Sequence, residues 1–180
     1  WTVADLGCGD AKIALTLPAG RVHSFDLVAV NDRVYCLCSL SLSLSLSLRL
    51  ALSLSTCVLR NKARRQVKAC DIAHVPLADG AVDVAVLSLA LMGTNYPQFL
   101  REANRVVKAN GRVLVAEVKS RCEHVLDAFV ALLEGMGLRV DEVDKNNKMF
   151  IMFYLTKVRA CGKLGALQPP ELKACQYKKR

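Results

Sequence analysis

The chain alternates between short apolar runs and longer stretches in which apolar residues recur every three or four positions. The short runs are rich in Val, Leu and Ala and end at turn-forming or acidic residues, so we predict them as strands. They are Trp1–Leu6, Arg21–Phe25, Val67–Asp71, Val82–Ser88 and Arg112–Val118. Continuous apolar runs of this kind are typical of strands that are covered on both faces of a parallel sheet.

Helical periodicity separates these runs. A short helix is predicted over Ala11–Leu17 and a second from Pro97 to Asn110-Gly111, where Gly favours a helix end. A third is predicted to open with a capping box at Ser120–Glu123. The apolar face of the second helix is predicted to hold Phe99, Leu100, Ala103, Val106 and Val107, and that of the third Val125, Leu126, Phe129, Leu132 and Leu133.

The last regular element is a predicted hairpin, in which Leu138–Val143 and Met149–Thr156 flank the turn Lys145–Lys148. Strands that alternate with helices indicate an α/β fold with a parallel sheet. A closing hairpin adds one antiparallel strand, which is the arrangement of class I (Rossmann-like) methyltransferases. We therefore predict one such domain over residues 1–156, with a mostly parallel seven-stranded sheet, followed by a basic tail at 157–180.

One segment breaks the pattern, because serine and leucine alternate strictly from Ser39 to Leu48. The uncharged run Tyr35–Leu48 ends at Arg49, so it is shorter than the ~20 apolar residues of a membrane span. We interpret residues 35–66 as a low-complexity insertion into the domain, of the kind that a CT dinucleotide repeat encodes. If ordered, it would form an exposed apolar strand, so we expect its deletion to raise thermal stability.

Charge and cysteine usage narrow the choice of ligands. The formal charge of +9 lies mainly in residues 35–67 and in the tail 157–180, so the remaining core is slightly acidic. The tail is therefore either a nucleic-acid contact or a solvated terminus. The eight cysteines form no Cys-x-x-Cys pair and the three histidines are scattered, so we predict no metal site and reduced, intracellular cysteines.

The glycine turn Gly7-Cys8-Gly9 is the chemically most informative stretch. It joins the first strand to the first helix, and Asp26 ends the second strand one βα unit later. Glycine permits a tight turn and lets a ligand lie against the backbone, while the acidic residue can accept bonds from ribose hydroxyls. The spacing predicts a nucleotide-type cofactor site, the alternative being a strand-to-helix turn without a ligand.

Several motifs together resemble the ribosomal RNA-processing protein 8 (nucleomethylin) family. They are Asp-Leu-Gly-Cys-Gly-Asp (5–10), His-Ser-Phe-Asp-Leu (23–27), Cys-Asp-Ile-Ala-His-Val-Pro-Leu (70–77), Val-Asp-Val-Ala-Val (82–86), Leu-Met-Gly-Thr-Asn-Tyr (91–96), Glu-Ala-Asn-Arg-Val (102–106) and Ala-Glu-Val (116–118). This resemblance implies a nucleolar enzyme that uses S-adenosylmethionine to make N1-methyladenosine in large-subunit ribosomal RNA. It also implies a nuclear role in rRNA-gene silencing, in a complex with a histone deacetylase and a histone methyltransferase. No association with a membrane is expected.

The resemblance also assigns cofactor contacts. It implies that Gly7 lies under the methionine part of the cofactor and that Asp26 takes the ribose hydroxyls. Asp71 would accept from the adenine amino group, with Ile72 beside the ring, although Asp71 could instead be a turn cap. The cofactor-binding residues that the resemblance implies are Gly7, Gly9, Asp26, Asp71, Ile72 and Ser88, and Ser88 could also be an ordinary strand end.

The chain departs from the family pattern in two respects. Ile72 and Ser88 stand where the family has Met and Cys, and both replacements are tolerable in volume. The family's cofactor-contacting histidine and the helix before the first strand have no counterpart here. We therefore expect an N-terminally truncated domain that binds S-adenosylmethionine weakly and transfers methyl groups poorly.

The loop after the fourth strand is the predicted substrate side, with Thr94, Asn95 and Tyr96 facing the RNA. Asn95 could bond the base and Tyr96 could stack on it, or Asn95 could simply cap the next helix. The N1 lone pair of an unpaired or flipped adenine can attack a methyl group directly, so no catalytic residue is singled out. A nicotinamide-dependent dehydrogenase, and a cofactor-binding or scaffolding subunit without catalysis, are the alternative functions.

Overall fold

The computed structural model describes residues 1–18, 20–27, 67–162 and 168–174. The strands are β1 (Val3–Leu6), β2 (Val22–Asp26), β3 (Val67–Ala69), β4 (Val82–Ser88), β5 (Val107–Val118), β6 (Leu138–Asp144) and β7 (Phe150–Lys157). The helices are α1 (Ile13–Thr16), α2 (Tyr96–Val106), α3 (Lys119–Cys122) and α4 (Leu126–Gly135), with a 3-10 turn at Glu123–Val125. The predicted insertion at 35–66 lies outside the described residues.

The described strands form one seven-stranded sheet in the order β3-β2-β1-β4-β5-β7-β6. The first five are parallel, and β7 pairs antiparallel with both β5 and β6. The strand order reverses between β1 and β4, which is the point where open α/β sheets bind ligands. This arrangement confirms the predicted class I methyltransferase fold with its closing hairpin.

The buried strands follow the apolar runs of the sequence. Every residue of β1 is buried, and β4 occupies the predicted range Val82–Ser88. The α2 and α4 faces bury Leu100, Ala103 and Val106, and Phe129, Leu132 and Leu133, respectively, as their periodicity predicts. The large side chains of the core therefore lie where helices cover the middle of the sheet.

The second helix ends earlier than predicted. It stops at Val106 rather than at Asn110-Gly111, because Val107 is fully buried and pairs with Val82 as the start of β5. Asn110 adopts a φ of 60°, and a Cβ on Gly111 would lie 2.8 Å from the Asp83 carbonyl oxygen. The Asn-Gly pair therefore lies in an irregular part of β5 and does not end a helix.

The predicted capping box is also wrong. Helix α3 begins at Lys119, directly after β5, and no side chain caps it, so Ser120 lies inside the helix. Helix α4 then begins only at Leu126. The first helix is shorter than predicted as well, because Ala11 has a φ of 50° that is incompatible with a right-handed helix.

Candidate functional site

The glycine turn is held open by backbone geometry. Gly7 has a φ of 76° and Gly9 a φ of 51°, and both are conformations that side-chain-bearing residues rarely adopt. A Cβ on Gly7 would lie 2.9 Å from the Cβ of Ala90, so no side chain fits there. The amides of Gly7 and Cys8 both donate to the Phe25 carbonyl oxygen, which fixes the turn over β2. The result is bare backbone at the carboxyl end of β1.

Asp26 closes this turn from the neighbouring strand. Its Oδ2 accepts a hydrogen bond of 2.8 Å from the Gly9 amide, and the residue is half-buried at the end of β2. The bond joins the predicted acidic residue to the predicted glycine turn. Gly9 therefore acts through its backbone to orient the carboxylate.

Asp71 and Ile72 form the next part of the site, after β3. The Ala73 amide donates to Asp71 Oδ1 over 2.9 Å, so the carboxylate does make the turn contact that was the alternative interpretation. Asp71 is nonetheless exposed and lines the same cavity as Asp26, while Ile72 is buried beside it. Both the local turn and the cavity wall thus use this residue.

A cavity of about 460 Å³ opens at the carboxyl ends of the parallel strands. Its wall is formed by Gly7, Asp26, Leu27, Asp71, Ile72, Leu89, Ala90, Met92, Gly93, Asn95 and Phe99. The structure therefore brings Gly7, Asp26, Asp71, Ile72 and Asn95 together, as the sequence predicted. A larger groove of about 690 Å³, which includes Arg101 and Lys157, contains none of the predicted site residues.

Ser88 and Gly9 are not part of the cavity wall. Ser88 is exposed at the end of β4, and the chain turns immediately after it because Leu89 has a φ of 55°. This turn places Leu89 and Ala90 on the wall in place of Ser88. The residue that ends the strand and the residues that meet the cavity are therefore different ones.

The loop after β4 separates the three predicted substrate-facing residues. Thr94 and Asn95 are exposed, and Asn95 makes no side-chain cap to α2 although it occupies the N-cap position. Tyr96, in contrast, is 3% exposed, packs on Phe129 at a centroid distance of 6.1 Å and donates from its hydroxyl to the Pro170 carbonyl over 2.7 Å. The ring of Tyr96 has no open face on which a base could stack, so the structure contradicts that role.

Two carboxylates, those of Asp5 and Asp26, lie near the glycine turn. Burial, and then the nearby charge of Asp26, raise the pKa of Asp5 on β1 to about 6. Burial, and then Asp5 and Asp26, raise the pKa of the Cys8 thiol to about 12. Cys8 is thus protonated at neutral pH and a poor nucleophile. Two neighbouring carboxylates favour a ligand that carries positive charge.

Sequence reasoning missed several wall residues. Leu27, Leu89, Ala90, Met92, Gly93 and Phe99 all line the cavity. Phe99 was predicted as core, yet it is only half-buried and lines the cavity. The signal for Met92 and Gly93 was available in the Leu-Met-Gly-Thr-Asn-Tyr motif, whereas nothing local marked Leu27 or Leu89.

The cavity fits a nucleoside cofactor with a cationic chain. Bare glycine backbone, one carboxylate at the end of each of two neighbouring strands, and the apolar side of Ile72 are the groups that such a ligand requires. Within residues 1–18, 20–27, 67–162 and 168–174, no cluster of His, Cys, Asp or Glu could hold a metal ion. None of the helices in these ranges is long and apolar enough to cross a membrane.

Known proteins match both the sequence and the fold. A family described as "Hypothetical methyltransferase" matches residues 1–47 and 49–180. The "25S rRNA (adenine(645)-N(1))-methyltransferase" of Schizosaccharomyces pombe is 41% identical over 99% of this chain and 46% of that protein. "Ribosomal RNA-processing protein 8" of Arabidopsis thaliana is 36% identical over 99% of this chain and 52% of that protein, and its Rattus norvegicus namesake 36% over 99% and 32%. The chain thus spans a third to a half of the length of these relatives.

Solved structures share the fold at low sequence identity. A SAM-dependent methyltransferase from Aquifex aeolicus has a TM-score of 0.57 at 19% identity and covers 87% of this chain and 82% of that chain. The 1,6-didemethyltoxoflavin-N1-methyltransferase of Burkholderia thailandensis, with bound S-adenosylhomocysteine, has a TM-score of 0.61 at 16% identity, over 88% and 71%. At these identities the likeness establishes the fold.

Proposed function

The chain belongs to the Ribosomal RNA-processing protein 8 family of methyltransferases, and from this premise we propose that it transfers a methyl group from S-adenosylmethionine to N1 of an adenine in large-subunit ribosomal RNA. The observation that carries the proposal is the cavity that joins Gly7, Asp26, Asp71 and Ile72 at the point where the strand order reverses. Membership of the family supports the substrate class, and the cavity supports the location of the site.

Each of these residues has a physical reason for its role. The Asp26 carboxylate, oriented by the Gly9 amide, accepts from the ribose hydroxyls. Asp71 accepts from the adenine amino group, and Ile72 packs against the ring face. Asp5 and Asp26 place negative charge near the glycine turn, which favours the cationic methionine end of the ligand.

The protein's own contribution to the reaction is positioning. The bound cofactor supplies an electrophilic methyl group, and N1 of adenine has an in-plane lone pair, so no general base is required to create the nucleophile. The cavity wall must then orient the two partners and exclude water, which together account for much of the rate in reactions of this type. Met92, Gly93 and Asn95 form the wall on the side of the loop after β4.

The RNA substrate must present its base unpaired, because N1 is engaged in a Watson–Crick pair within a duplex. Thr94 and Asn95 are the exposed residues of the loop that can reach such a base. The basic residues of the tail, 157–180, offer phosphate contacts that carry no sequence information. The proposal includes the nucleolus as the site of action and a silencing complex with a histone deacetylase and a histone methyltransferase, both from family membership.

The ribose contact tests the cofactor assignment. Removing charge-assisted hydrogen bonds worth about 1.5–3 kcal/mol, Asp26→Ala should weaken S-adenosylmethionine binding about ten- to a hundredfold in calorimetric titrations. Asp10→Ala is the control, because it removes a carboxylate from an exposed position next to the glycine turn that does not line the cavity. Equal affinities of a folded Asp26→Ala and wild type would refute the assignment.

A second measurement separates an enzyme from a cofactor-binding or scaffolding subunit. An rRNA fragment with one unpaired adenosine is incubated with the chain and S-adenosylmethionine, and N1-methyladenosine is quantified. The family proteins are longer than this chain, so the same assay on the full-length protein provides the reference rate. Binding without transfer in both proteins would contradict the enzyme proposal and support the subunit.

A further inference from the structure

A buried ion pair lies behind the loop that follows β4. Glu117 at the end of β5 and Arg121 in α3 are 0% and 3% exposed, and Arg121 Nη1 lies 2.6 Å from Glu117 Oε2. Neither residue lines the cofactor cavity. A pair buried to this degree is costly to desolvate unless further hydrogen bonds satisfy it. The partners of those further bonds indicate what the pair holds.

The pair holds both backbone groups of Leu91. The Leu91 amide donates to Glu117 Oε1 over 2.9 Å, and Arg121 Nη2 donates to the Leu91 carbonyl over 2.8 Å. Arg121 Nη1 also lies 3.5 Å from the sulfur of Met92, which is on the cavity wall. We call residues 92–95 the substrate loop. Its first end is thus fixed by Glu117 and Arg121.

The same arginine binds residues 168–174, which we call the C-terminal strap. Arg121 Nε donates to the Lys173 carbonyl over 2.7 Å, and the Lys173 amide returns a longer contact of 3.4 Å to the Arg121 carbonyl. Leu172 of the strap packs against the core. The strap is therefore docked on the domain by side-chain and backbone contacts.

The strap also holds the other end of the substrate loop. The buried Tyr96 follows the loop directly, and its hydroxyl donates to the Pro170 carbonyl of the strap over 2.7 Å. The loop is consequently fixed at Leu91 through Arg121 and at Tyr96 through Pro170. Both anchors share the strap, and between them lie Met92, Gly93 and Asn95 on the cavity wall.

We propose that Arg121 is a positioning residue and that the C-terminal strap sets the geometry of the substrate loop for methyl transfer. This inference rests on the proposed function, because the loop matters only if the cavity holds the methyl donor. Arg121 acts through Leu91 and Met92 and does not itself line the cavity. The strap contributes the Pro170 carbonyl, both backbone groups of Lys173 and the Leu172 side chain, so it serves as a support for the loop and not as a ligand contact.

Three variants test the proposal. Truncation after Leu167 removes the strap together with residues 175–180, Tyr96→Phe removes only the hydroxyl that binds Pro170, and Arg121→Lys keeps a positive charge beside Glu117 but lacks the planar fork. Tyr154→Phe on β7 is the matched control, because it deletes a tyrosine hydroxyl elsewhere in the domain. All measurements are made well below the melting temperatures of the variants.

Three readouts separate positioning from a merely structural role. They are amide exchange at Leu91–Tyr96 relative to β4, affinity for S-adenosylhomocysteine, and methyl transfer to an rRNA fragment at saturating cofactor and RNA. For the truncated chain we expect roughly tenfold faster exchange in the loop, roughly tenfold slower transfer, and cofactor affinity within about twofold of wild type. Tyr96→Phe and Arg121→Lys should shift the same two readouts in the same direction by smaller factors.

The outcomes distinguish this inference from the proposed function. If wild type binds S-adenosylhomocysteine and transfers methyl groups, but the truncated chain matches it in loop exchange or in transfer, the inference is overturned and the proposed function stands. If transfer and cofactor affinity fall together by the same factor, the strap is only structural and the positioning role is refuted. If wild type neither binds the cofactor nor transfers a methyl group, the proposed function fails, and the positioning role fails with it.

Discussion

Two loops that connect elements of this sheet are each held by a glutamate–arginine pair. In each pair the glutamate accepts from the amide of one loop residue, and the arginine donates to the carbonyl of the same residue. Between β3 and β4, the Val75 amide donates to Glu102 Oε1 over 2.8 Å, and Arg105 donates to the Val75 carbonyl over 3.1 Å. After β4, Glu117 and Arg121 bind Leu91 in the same pattern. We call these the turn clamp (Glu102–Arg105) and the loop clamp (Glu117–Arg121).

The two clamps differ in exposure to water. The loop clamp is 0% and 3% exposed, whereas in the turn clamp Glu102 is 7% and Arg105 is 32% exposed. Arg105 also forms a second ion pair, over 2.6 Å, with Asp79, which is exposed at the surface. The turn clamp therefore meets solvent through Arg105 alone, and the loop clamp is entirely inside the protein.

This difference determines what each clamp contributes. A buried pair gains little net stability over apolar residues, because desolvation offsets the attraction, but the loss of one partner leaves a buried charge unpaired. At a pair that is partly exposed, water can take the place of a partner that is removed. Removal of one partner should therefore cost most of the stability that the loop clamp provides, whereas removal of one partner of the turn clamp should cost less.

The largest expected effect comes from breaking the loop clamp. Arg121→Met keeps the apolar volume but leaves the Glu117 carboxylate and the Leu91 carbonyl without their partner, which should cost about 3–5 kcal/mol of unfolding free energy. Denaturant titration at neutral pH measures this loss. Arg101→Met on α2 is the control, because Arg101 is exposed. A loss below about 1 kcal/mol would contradict the prediction, because it would mean that water reaches the Glu117 carboxylate once Arg121 is removed.

Asp5 sharpens the comparison, because it is a buried carboxylate that forms no ion pair within the described ranges. Its pKa is raised from 3.8 to about 6, first by burial and then by Asp26. Between these pH values the folded state retains a proton that the unfolded state releases, so the stability of the wild type falls as pH rises through this window. Asp5→Asn removes the dependence and should gain about 2–3 kcal/mol relative to wild type between pH 4 and pH 7.

Denaturant titrations at pH 4, 5, 6 and 7 provide the check for Asp5. The control is Asp10→Asn, an exposed acidic residue of the same turn, which should leave the pH dependence of wild type in place. A stability difference between Asp5→Asn and wild type that is constant with pH would show that Asp5 is ionised in the folded protein throughout the range.

The smallest expected effect comes from breaking the turn clamp. Arg105→Met removes bonds to Glu102, Asp79 and two carbonyl groups, but a third of the side chain already meets water, so we expect a cost of about 1–2 kcal/mol. The side-chain hydrogen bond to Glu102 raises the pKa of Arg105, so the arginine stays charged and its removal should cost the same at pH 7 and pH 9. If Arg105→Met costs as much as Arg121→Met, exposure does not distinguish the clamps.

The sequence predicted the parts of the fold that depend on local pattern. Its apolar runs gave the limits of β4, and its two final runs gave the β6–β7 hairpin. It failed where a long-range contact overrides a local signal. Val107 leaves the helix because it pairs with Val82, and Ser120 does not cap because β5 runs directly into α3, which begins at Lys119.

The candidate site divides in the same way. Gly7 and Asp26 were predicted from the local pattern, because glycines in a strand-to-helix turn and an acidic residue at the next strand end are typical of a nucleotide-type site. Asp71 and Ile72 were predicted only through the resemblance to the family. Tyr96 could not be placed, because the same motif is compatible with an exposed or a buried ring. Only the packing on Phe129 and the bond to Pro170, which lies far along the chain, decided its orientation.

By itself, then, the sequence determined the class of fold, the edge of the sheet at which the cavity opens and the family to which the chain belongs. The tertiary structure alone decided which residues form the cavity wall and which charges are paired. The physical reason is range: turn geometry and apolar periodicity are properties of neighbouring residues, whereas burial and the pairing of Glu117 with Arg121, Leu91 and Lys173 depend on elements that meet only in the folded protein.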